Sequence, residues 1–122
     1  MQVIIDTNFL LIPFKFKVDI ITEIERLVGK PDYIIISGTK SELAHIEQTG
    51  NGEDKMAARF GFEVLKRIPY RELAGLSVDD AIVDMSGPET AVCTMDKELR
   101  DRLIKKGAKI IVMRQKNRLD WA

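Results

Sequence analysis

Three short runs of apolar, mostly β-branched residues stand out along the chain: Gln2 to Ile5, Tyr33 to Ile36 and Lys109 to Met113. Weaker runs of the same kind lie at Ala91 to Thr94 and near Tyr70 to Leu73. Within the strong runs the apolar residues are nearly continuous, whereas a strand with one solvated face would alternate apolar and polar residues. The pattern therefore predicts strands of a parallel sheet that is covered on both faces.

Between these runs, apolar residues recur at spacings near three and four, which predicts amphipathic helices. We expect helices at Val18 to Val28, Lys40 to Gln48, Glu53 to Ile68, Val78 to Met85 and Lys97 to Lys106. Gly29 follows the first helix and Gly107 the last, a position at which glycine commonly ends a helix. Because strands and helices alternate, we predict an α/β fold with a mainly parallel central sheet and helices on both faces.

The composition narrows the class of protein. A chain of 122 residues has room for one domain, so we expect a single domain over residues 1–122. Cys93 is the only cysteine, which excludes an intrachain disulfide and favours a cytoplasmic setting. The apolar runs are far shorter than the roughly 18 residues of a membrane span, so we expect no membrane partner.

The charge distribution is uneven although the formal net charge is zero, with 19 basic and 19 acidic residues. The stretch from Lys97 to Arg118 holds nine lysines and arginines and only two acids. Such a run is more often a solvated helix face than a binding surface. The alternative, that this stretch contacts a nucleic-acid backbone, remains open. The candidate residues for such a contact are Arg100, Lys105, Lys106, Arg114 and Lys116.

Acidic residues are predicted to gather at the carboxyl edge of the sheet, where α/β proteins bind their ligands. Asp6 and Asp96 each end a strand, Glu42 lies in the helix after the second strand, and Asp79 and Asp80 open a later helix. Two unit charges about 4 Å apart repel by roughly 4 kcal/mol at an effective dielectric near 20, so such a cluster needs protons or cations. Oxygen ligands suit Mg²⁺ or Mn²⁺, which can activate water for phosphodiester hydrolysis.

Each acid also has a purely structural interpretation. Thr39 with Glu42 and Ser77 with Asp80 have the spacing of capping boxes, and the remaining acids could cap a helix or a turn. Capping does not explain why two of these acids close separate strands at the same edge. The metal-site hypothesis therefore depends on the acids as a group.

Other kinds of catalytic site find little support. His45 lies three residues after Glu42, but it is the only histidine, and a Glu-x-x-His metal site needs a second copy. With one histidine and one apolar-flanked cysteine, a Ser-His or Cys-His nucleophile pair is not expected.

The acids lie within four ordered motifs: Ile5-Asp6-Thr7-Asn8, Ser41-Glu42-Leu43, Asp79-Asp80-Ala81-Ile82-Val83 and Thr94-Met95-Asp96-Lys97-Glu98-Leu99. Together these motifs resemble those of the PIN-domain ribonucleases, and the resemblance covers essentially the whole chain. It implies a three-layer, Rossmann-like PIN fold, dependence on Mg²⁺ or Mn²⁺, and endonucleolytic hydrolysis of RNA.

The resemblance also assigns roles by position. Asp6, Glu42, Asp80 and Asp96 match the catalytic acidic quartet of the family, and Asp79 is an alternative metal ligand beside Asp80. Asn8 and Thr94 are expected to orient these acids through hydrogen bonds. The basic residues named above would then contact the RNA backbone.

Two biological roles remain open at this stage. The stretches Val3 to Val28 and Val112 to Lys116 most resemble an archaeal single-domain branch related to a nuclease that processes precursor ribosomal RNA, which implies rRNA processing and ribosome-assembly factors as partners. Many family members are instead VapC-type toxins that a small antitoxin blocks. Apolar residues near Leu10 to Phe16 also predict an exposed patch and hence a homodimer.

Two alternatives to a nuclease share the same architecture. A receiver-type phosphoacceptor module would need an acidic pair after the first strand and a lysine after the last, whereas Asp6 stands alone and Arg114 follows the last predicted strand. A PIN fold with weak or absent catalysis could serve as an RNA- or protein-binding scaffold. The complete set of acids argues against such a scaffold.

Overall fold

A six-stranded sheet forms the centre of the fold, which a computed structural model describes for Met1–Ala122. Its strands are β1 (Gln2–Ile5), β2 (Asp32–Ile36), β3 (Tyr70–Leu73), β4 (Thr90–Cys93), β5 (Lys109–Arg114) and β6 (Arg118–Trp121). The strand order is β3-β2-β1-β4-β5-β6; β1 to β5 pair in parallel, and β6 pairs antiparallel with β5. The predicted α/β class with a mainly parallel sheet is confirmed.

Helices cover both faces of the sheet. They are a 3-10 helix (Thr7–Leu11), α1 (Ile12–Phe16), α2 (Ile20–Val28), α3 (Ser37–Thr49), α4 (Gly52–Lys66), α5 (Val78–Met85) and α6 (Lys97–Lys105). Val3 and Ile5 of β1 pack with the 3-10 helix and α1 to α4, whereas Ile4 packs with α5 and α6 on the opposite face. The buried strands are therefore apolar on both faces, as their continuous apolar runs predicted.

The central position of β1 decides where a site can form. The chain passes from β1 to β2 and β3 on one side, and then returns to place β4 and β5 on the other. In open parallel sheets, the crevice at such a reversal lies beyond the carboxyl ends of the strands. Asp6 follows β1 at this point, and its backbone N–H donates to the Cys93 carbonyl of β4 at 3.0 Å.

The segment that follows Asp6 differs from the sequence prediction, which assigned no helix there. Phe9, Leu10 and Ile12 lie in the 3-10 helix and α1 and are buried beneath α4. The approach is close, because a Cβ at Gly61 of α4 would come within 2.8 Å of the Leu10 carbonyl oxygen. The predicted exposed patch is therefore wrong for most of its residues, and the homodimer prediction loses the observation on which it rested.

Strand β6 was not predicted either, because the turn before it has an unusual composition. Gln115 and Lys116 adopt positive φ angles of 54° and 59°, a region that turns normally fill with glycine or asparagine. Two side chains of α2 then hold the edge strand: Arg26 Nη2 donates to the Leu119 carbonyl at 2.7 Å, and the Leu119 N–H donates to Glu23 Oε1 at 3.0 Å. These bonds satisfy backbone groups that an edge strand otherwise leaves open.

The helix boundaries are close to those predicted. α5 begins and ends as expected, while α3 begins at Ser37, directly after β2, instead of at Lys40. The length and hydropathy of every helix fall short of what a membrane crossing requires.

Candidate active site

Asp6 is the most buried acid at the carboxyl edge, with 4% of its surface exposed. Its Oδ1 accepts the Thr7 backbone N–H at 2.8 Å, and its Oδ2 accepts the Thr94 hydroxyl at 2.9 Å. The pKa of Asp6 is raised from 3.8 to about 6, mainly by burial and also by the charges of Asp79 and Glu42, while the hydrogen bonds from Thr94 and Thr7 oppose the rise. The carboxylate is thus held in place while its charge is poorly solvated.

Thr7 joins Asp6 to Glu42. The Thr7 hydroxyl, which belongs to a buried residue, donates to Glu42 Oε1 of α3 at 2.7 Å, while its backbone N–H serves Asp6. The capping-box interpretation of Thr39 with Glu42 is wrong, because α3 begins before Thr39 and the Thr39 hydroxyl has no hydrogen-bond partner. Sequence reasoning missed the role of Thr7, although its place directly after Asp6 was a usable signal.

Thr94 joins Asp6 to Asp96 in the same way. Its hydroxyl donates to Asp6 and accepts the Asp96 backbone N–H at 3.1 Å. Asp96 is the N-cap of α6, where its Oδ1 accepts the N–H groups of Glu98 and Leu99 at 2.9 and 3.2 Å. Asp96 therefore caps a helix and also belongs to the acidic edge, so the two interpretations of this residue are compatible.

The neighbouring acids Asp79 and Asp80 of α5 have different surroundings. Asp80 is exposed, pairs with Arg102 at 2.8 Å and accepts the Ser77 hydroxyl at 2.9 Å, and these contacts lower its pKa. Asp79 makes no such bond; partial burial raises its pKa, as do the charges of Asp96 and Glu42. Of these two acids, Asp79 is the one whose charge raises the pKa of Asp6, whereas Asp80 is paired with Arg102.

The cluster consists of Asp6, Glu42, Asp79 and Asp96: the charges of Asp79 and Glu42 raise the pKa of Asp6, and those of Asp96 and Glu42 raise the pKa of Asp79. All its donor atoms are carboxylate oxygens, which hard divalent cations prefer. No group of three or more His, Cys, Asp or Glu side chains is arranged at metal-ligand distances. The residues thus fit a divalent cation, because their oxygens are suitable ligands and their negative charges are not neutralised by basic side chains. To bind the ion, the carboxylates would have to rotate so that their oxygens come closer together.

The remaining predicted residues are distributed over the surface. Asn8 is exposed and makes no hydrogen bond to any of the acids, so the orienting role expected of it is filled by Thr7. Arg100 in the first turn of α6, Arg114 at the end of β5 and Lys116 in the following turn lie toward the acidic edge.

Lys105 and Lys106 lie at the other end of α6 from the acids. This helix has nine residues and is about 13 Å long, and it runs from the carboxyl edge of the sheet toward the amino edge. An open groove of about 690 Å³ follows β5, and the cations that line it are Arg100, Lys109 and Arg114. The basic residues therefore divide into a group near the acids and a group far from them.

Comparison with known proteins gives a consistent result. Residues 3–116 match a family described as "PIN like domain". The chain is 30% identical over 120 residues to ribonuclease VapC4 of Methanocaldococcus jannaschii, covering 94% of this chain and 92% of that protein. It is 25% identical over 116 residues to ribonuclease VapC9 of Archaeoglobus fulgidus, covering 95% and 85% of the two chains.

A solved structure shares the fold. The PIN domain endonuclease Utp24 superposes with a TM-score of 0.76 over 98% of this chain and 90% of that chain, at 24% sequence identity. At this identity the likeness concerns the fold alone. It agrees with the three-layer architecture expected from the sequence.

Protein freed of divalent ions by EDTA should lose stability as the pH rises from about 4 to about 7. The pKa of Asp6 is raised on folding from 3.8 to about 6, so the native state binds this proton more tightly than the unfolded chain. This stabilisation is present in full when the pH is below 3.8, the pKa of Asp6 in the unfolded chain. It is lost as the pH rises through about 6, its pKa in the folded protein, and the loss amounts to roughly 2–3 kcal/mol. Urea unfolding at several pH values should show a flatter profile for Asp6→Asn.

Asp80→Asn is the matched control for this experiment, because the pKa of Asp80 is lowered and its contribution lies at lower pH. Its profile between pH 4 and 7 should run parallel to that of the wild type. A wild-type profile parallel to that of Asp6→Asn would contradict the assigned environment of Asp6.

Proposed function

This chain belongs to the PIN-like domain family, and on that premise we propose that it is a divalent-metal-dependent ribonuclease that hydrolyses RNA phosphodiester bonds at the carboxyl edge of its sheet. The proposal treats residues 1–122 as one PIN domain. The match to ribonucleases VapC4 and VapC9 over nearly their whole length supports nuclease activity over a receiver-type phosphoacceptor.

The observation that carries the proposal is the buried Asp6 carboxylate among other acids. Asp6 has a pKa of about 6, raised by burial and by the charges of Asp79 and Glu42. At neutral pH this arrangement concentrates negative charge in a poorly solvated place, which favours binding of a cation. A fold that needed only helix caps would gain nothing from burying Asp6 in this way.

Asp6, Glu42, Asp79 and Asp96 would hold the ion in this proposal. A bound Mg²⁺ or Mn²⁺ would supply Lewis-acid activation of water and neutralisation of charge on the phosphodiester. Thr7 and Thr94 act as positioning residues, because each hydroxyl fixes a carboxylate oxygen that belongs to another element.

The choice of Asp79 revises the quartet expected from the sequence, which contained Asp80. Asp80 is engaged by Arg102 and Ser77 on the surface. Its ion pair links α5 to α6 and so helps to fix the first turn of α5, which carries Asp79. We therefore propose Asp79 as the ligand and Asp80 as a surface residue that supports it.

The groove along β5 is proposed to contact the RNA backbone. Arg100 and Arg114 line its end near the acids and are the proposed contacts; Lys109, which begins β5, lines the opposite end, and no acidic side chain lines the groove. Lys116 extends the same charge at the turn after β5. Lys105 and Lys106, which the sequence suggested as well, are left out because they lie at the far end of α6.

The relatives favour a VapC-type role over rRNA processing. Both named ribonucleases are VapC proteins, and each match covers most of both chains. The relation to Utp24 rests on the fold at 24% identity. We propose accordingly that a small antitoxin is the regulatory partner, with ribosome-assembly factors as the alternative.

Replacing single acids by their amides should separate ligands from bystanders. Asp6→Asn, Asp79→Asn and Asp96→Asn are each expected to lower the rate of Mn²⁺-dependent cleavage of single-stranded RNA by about 100-fold or more, the upper end of what losing support at a metal site costs. Asparagine is isosteric with aspartate and caps a helix about as well, so folding should be retained. Cleavage of a labelled RNA measures the effect.

Asp80→Asn is the matched control and should retain activity within about tenfold, since it weakens only a surface ion pair. Unchanged cleavage by both Asp6→Asn and Asp96→Asn would rule the mechanism out. If the wild type cuts no RNA with either Mg²⁺ or Mn²⁺, the chain is better described as a binding scaffold.

Two sets of charge replacements test the proposed RNA surface. Replacing Arg100, Arg114 and Lys116 together by glutamine should reduce the dependence of log K on log salt concentration by about 0.7 for each phosphate that is no longer neutralised. Replacing Lys105 and Lys106 by glutamine should leave that slope nearly unchanged. RNA binding by both variants is measured by fluorescence anisotropy at several salt concentrations. If replacing Lys105 and Lys106 changed the slope as much as or more than replacing the other three residues, the proposed RNA surface would be contradicted.

A further inference from the structure

A second cavity lies directly beside the acidic cluster. It is an open depression of about 360 Å³ that is lined by Glu42 of the cluster and by Thr7, which hydrogen-bonds to Glu42. Its other lining residues are Asn8, Gly38, Ser41, His45, Ile46 and Leu76. A ligand in this cavity would therefore touch the proposed catalytic edge without occupying it.

Three polar side chains of this cavity are not used by the fold. Asn8, Ser41 and His45 are exposed, and none of their side chains makes a hydrogen bond within the chain. Ser41 and Glu42 lie four and three residues before His45 in α3, so each is a surface neighbour of His45 on the helix. Asn8 and His45 together offer donors and acceptors that can read the edge of a planar heterocycle.

The opposite side of the cavity carries Leu76, next to a residue whose backbone is hydrogen-bonded to α3. Leu76 is 93% exposed, yet its loop is pinned to the start of α3 because the Gly38 N–H donates to the Gly75 carbonyl at 2.9 Å. The Gly75 N–H donates in turn to the Ser37 hydroxyl at 3.1 Å. An exposed leucine alone means little, but this one borders the cavity and offers an aliphatic contact to a ligand.

The charge of the lining limits what can bind. No lysine or arginine lines the cavity, and the Glu42 carboxylate does. A phosphate group would be repelled here, whereas a neutral base or ribose would not. The volume suits one nucleoside and is too small for a duplex, and RNA is read by sequence mainly where unpaired bases are splayed out.

We propose that this cavity is a subsite for one unpaired RNA nucleotide next to the bond that is cut, with its base against Leu76 and its edge hydrogen-bonded by Asn8 and His45. The assignment rests on the proposed ribonuclease function and adds base preference to it. The sequence suggested that Asn8 orients the acids through hydrogen bonds. In this proposal it is instead a specificity-determining residue that contacts the base.

The single histidine makes a direct test practical, because the imidazole of His45 gives the only histidine ring signals in an NMR spectrum. The isotope-labelled chain is titrated in EDTA at low ionic strength, where no cleavage occurs. The probes are tetraribonucleotides of A, of C and of U, and one with a single G among U. We expect the His45 ring signals to shift with some of these RNAs and not with others.

Asn8→Ala should weaken binding of the preferred tetranucleotide by about five- to tenfold, the effect of removing one hydrogen bond. Gln48→Ala is the matched control, because Gln48 is an exposed polar residue of α3 outside the cavity and should bind normally. In wild-type cleavage of a random RNA pool, one position beside the cut should show a base preference that Asn8→Ala loses.

Three results would overturn the subsite. In the first, RNA shifts other signals of the protein but not those of His45. In the second, all four RNAs shift the His45 signals equally and Asn8→Ala does not change these shifts; in the third, no RNA shifts any signal. The test stays separate from that of the proposed function. If the wild type cuts no RNA with Mn²⁺ while His45 still responds selectively, hydrolysis is refuted and the subsite stands.

Discussion

The buried carboxylate of Asp6 is the constraint on which the functional account depends. β1 lies in the middle of the sheet, so the residue that ends it is surrounded by the elements that follow β2 and β4. Burial and nearby acids raise the pKa of Asp6 to about 6, which means that its charge is tolerated poorly at neutral pH. The protein thus keeps an unfavourable buried charge at the place where several elements meet, and such perturbed groups are typical of functional sites.

Hydroxyl groups link these carboxylates in the metal-free protein without removing their charge. Thr7 spans Asp6 and Glu42, and Thr94 spans Asp6 and the backbone of Asp96. The same acids complete local structure, since Asp6 caps the 3-10 helix and Asp96 caps α6. Structural and functional interpretations of these residues are therefore not alternatives. Each cap places a carboxylate beside the other acids of the cluster.

Much of the fold could be predicted from the sequence, because the continuous apolar runs and the helical spacing of apolar residues follow directly from which side chains are buried. The elements that were not predicted escaped notice for physical reasons. The helical turns after Asp6 lack a clear period and depend on the close approach of α4 at Gly61. β6 follows a turn in which Gln115 and Lys116 adopt positive φ angles without glycine. At the site, the motif order located the acids, but the choice between Asp79 and Asp80 depends on Arg102, which is distant in sequence and adjacent in space.

Binding of Mn²⁺ to the metal-free protein, followed by electron paramagnetic resonance of the free ion, tests the central claim most directly. The account predicts saturable uptake at pH 7.5, about tenfold weaker binding at pH 5 because a proton must first leave Asp6, and loss of uptake in Asp6→Asn. Absence of uptake at millimolar Mn²⁺, or uptake that Asp6→Asn leaves unchanged, would contradict it.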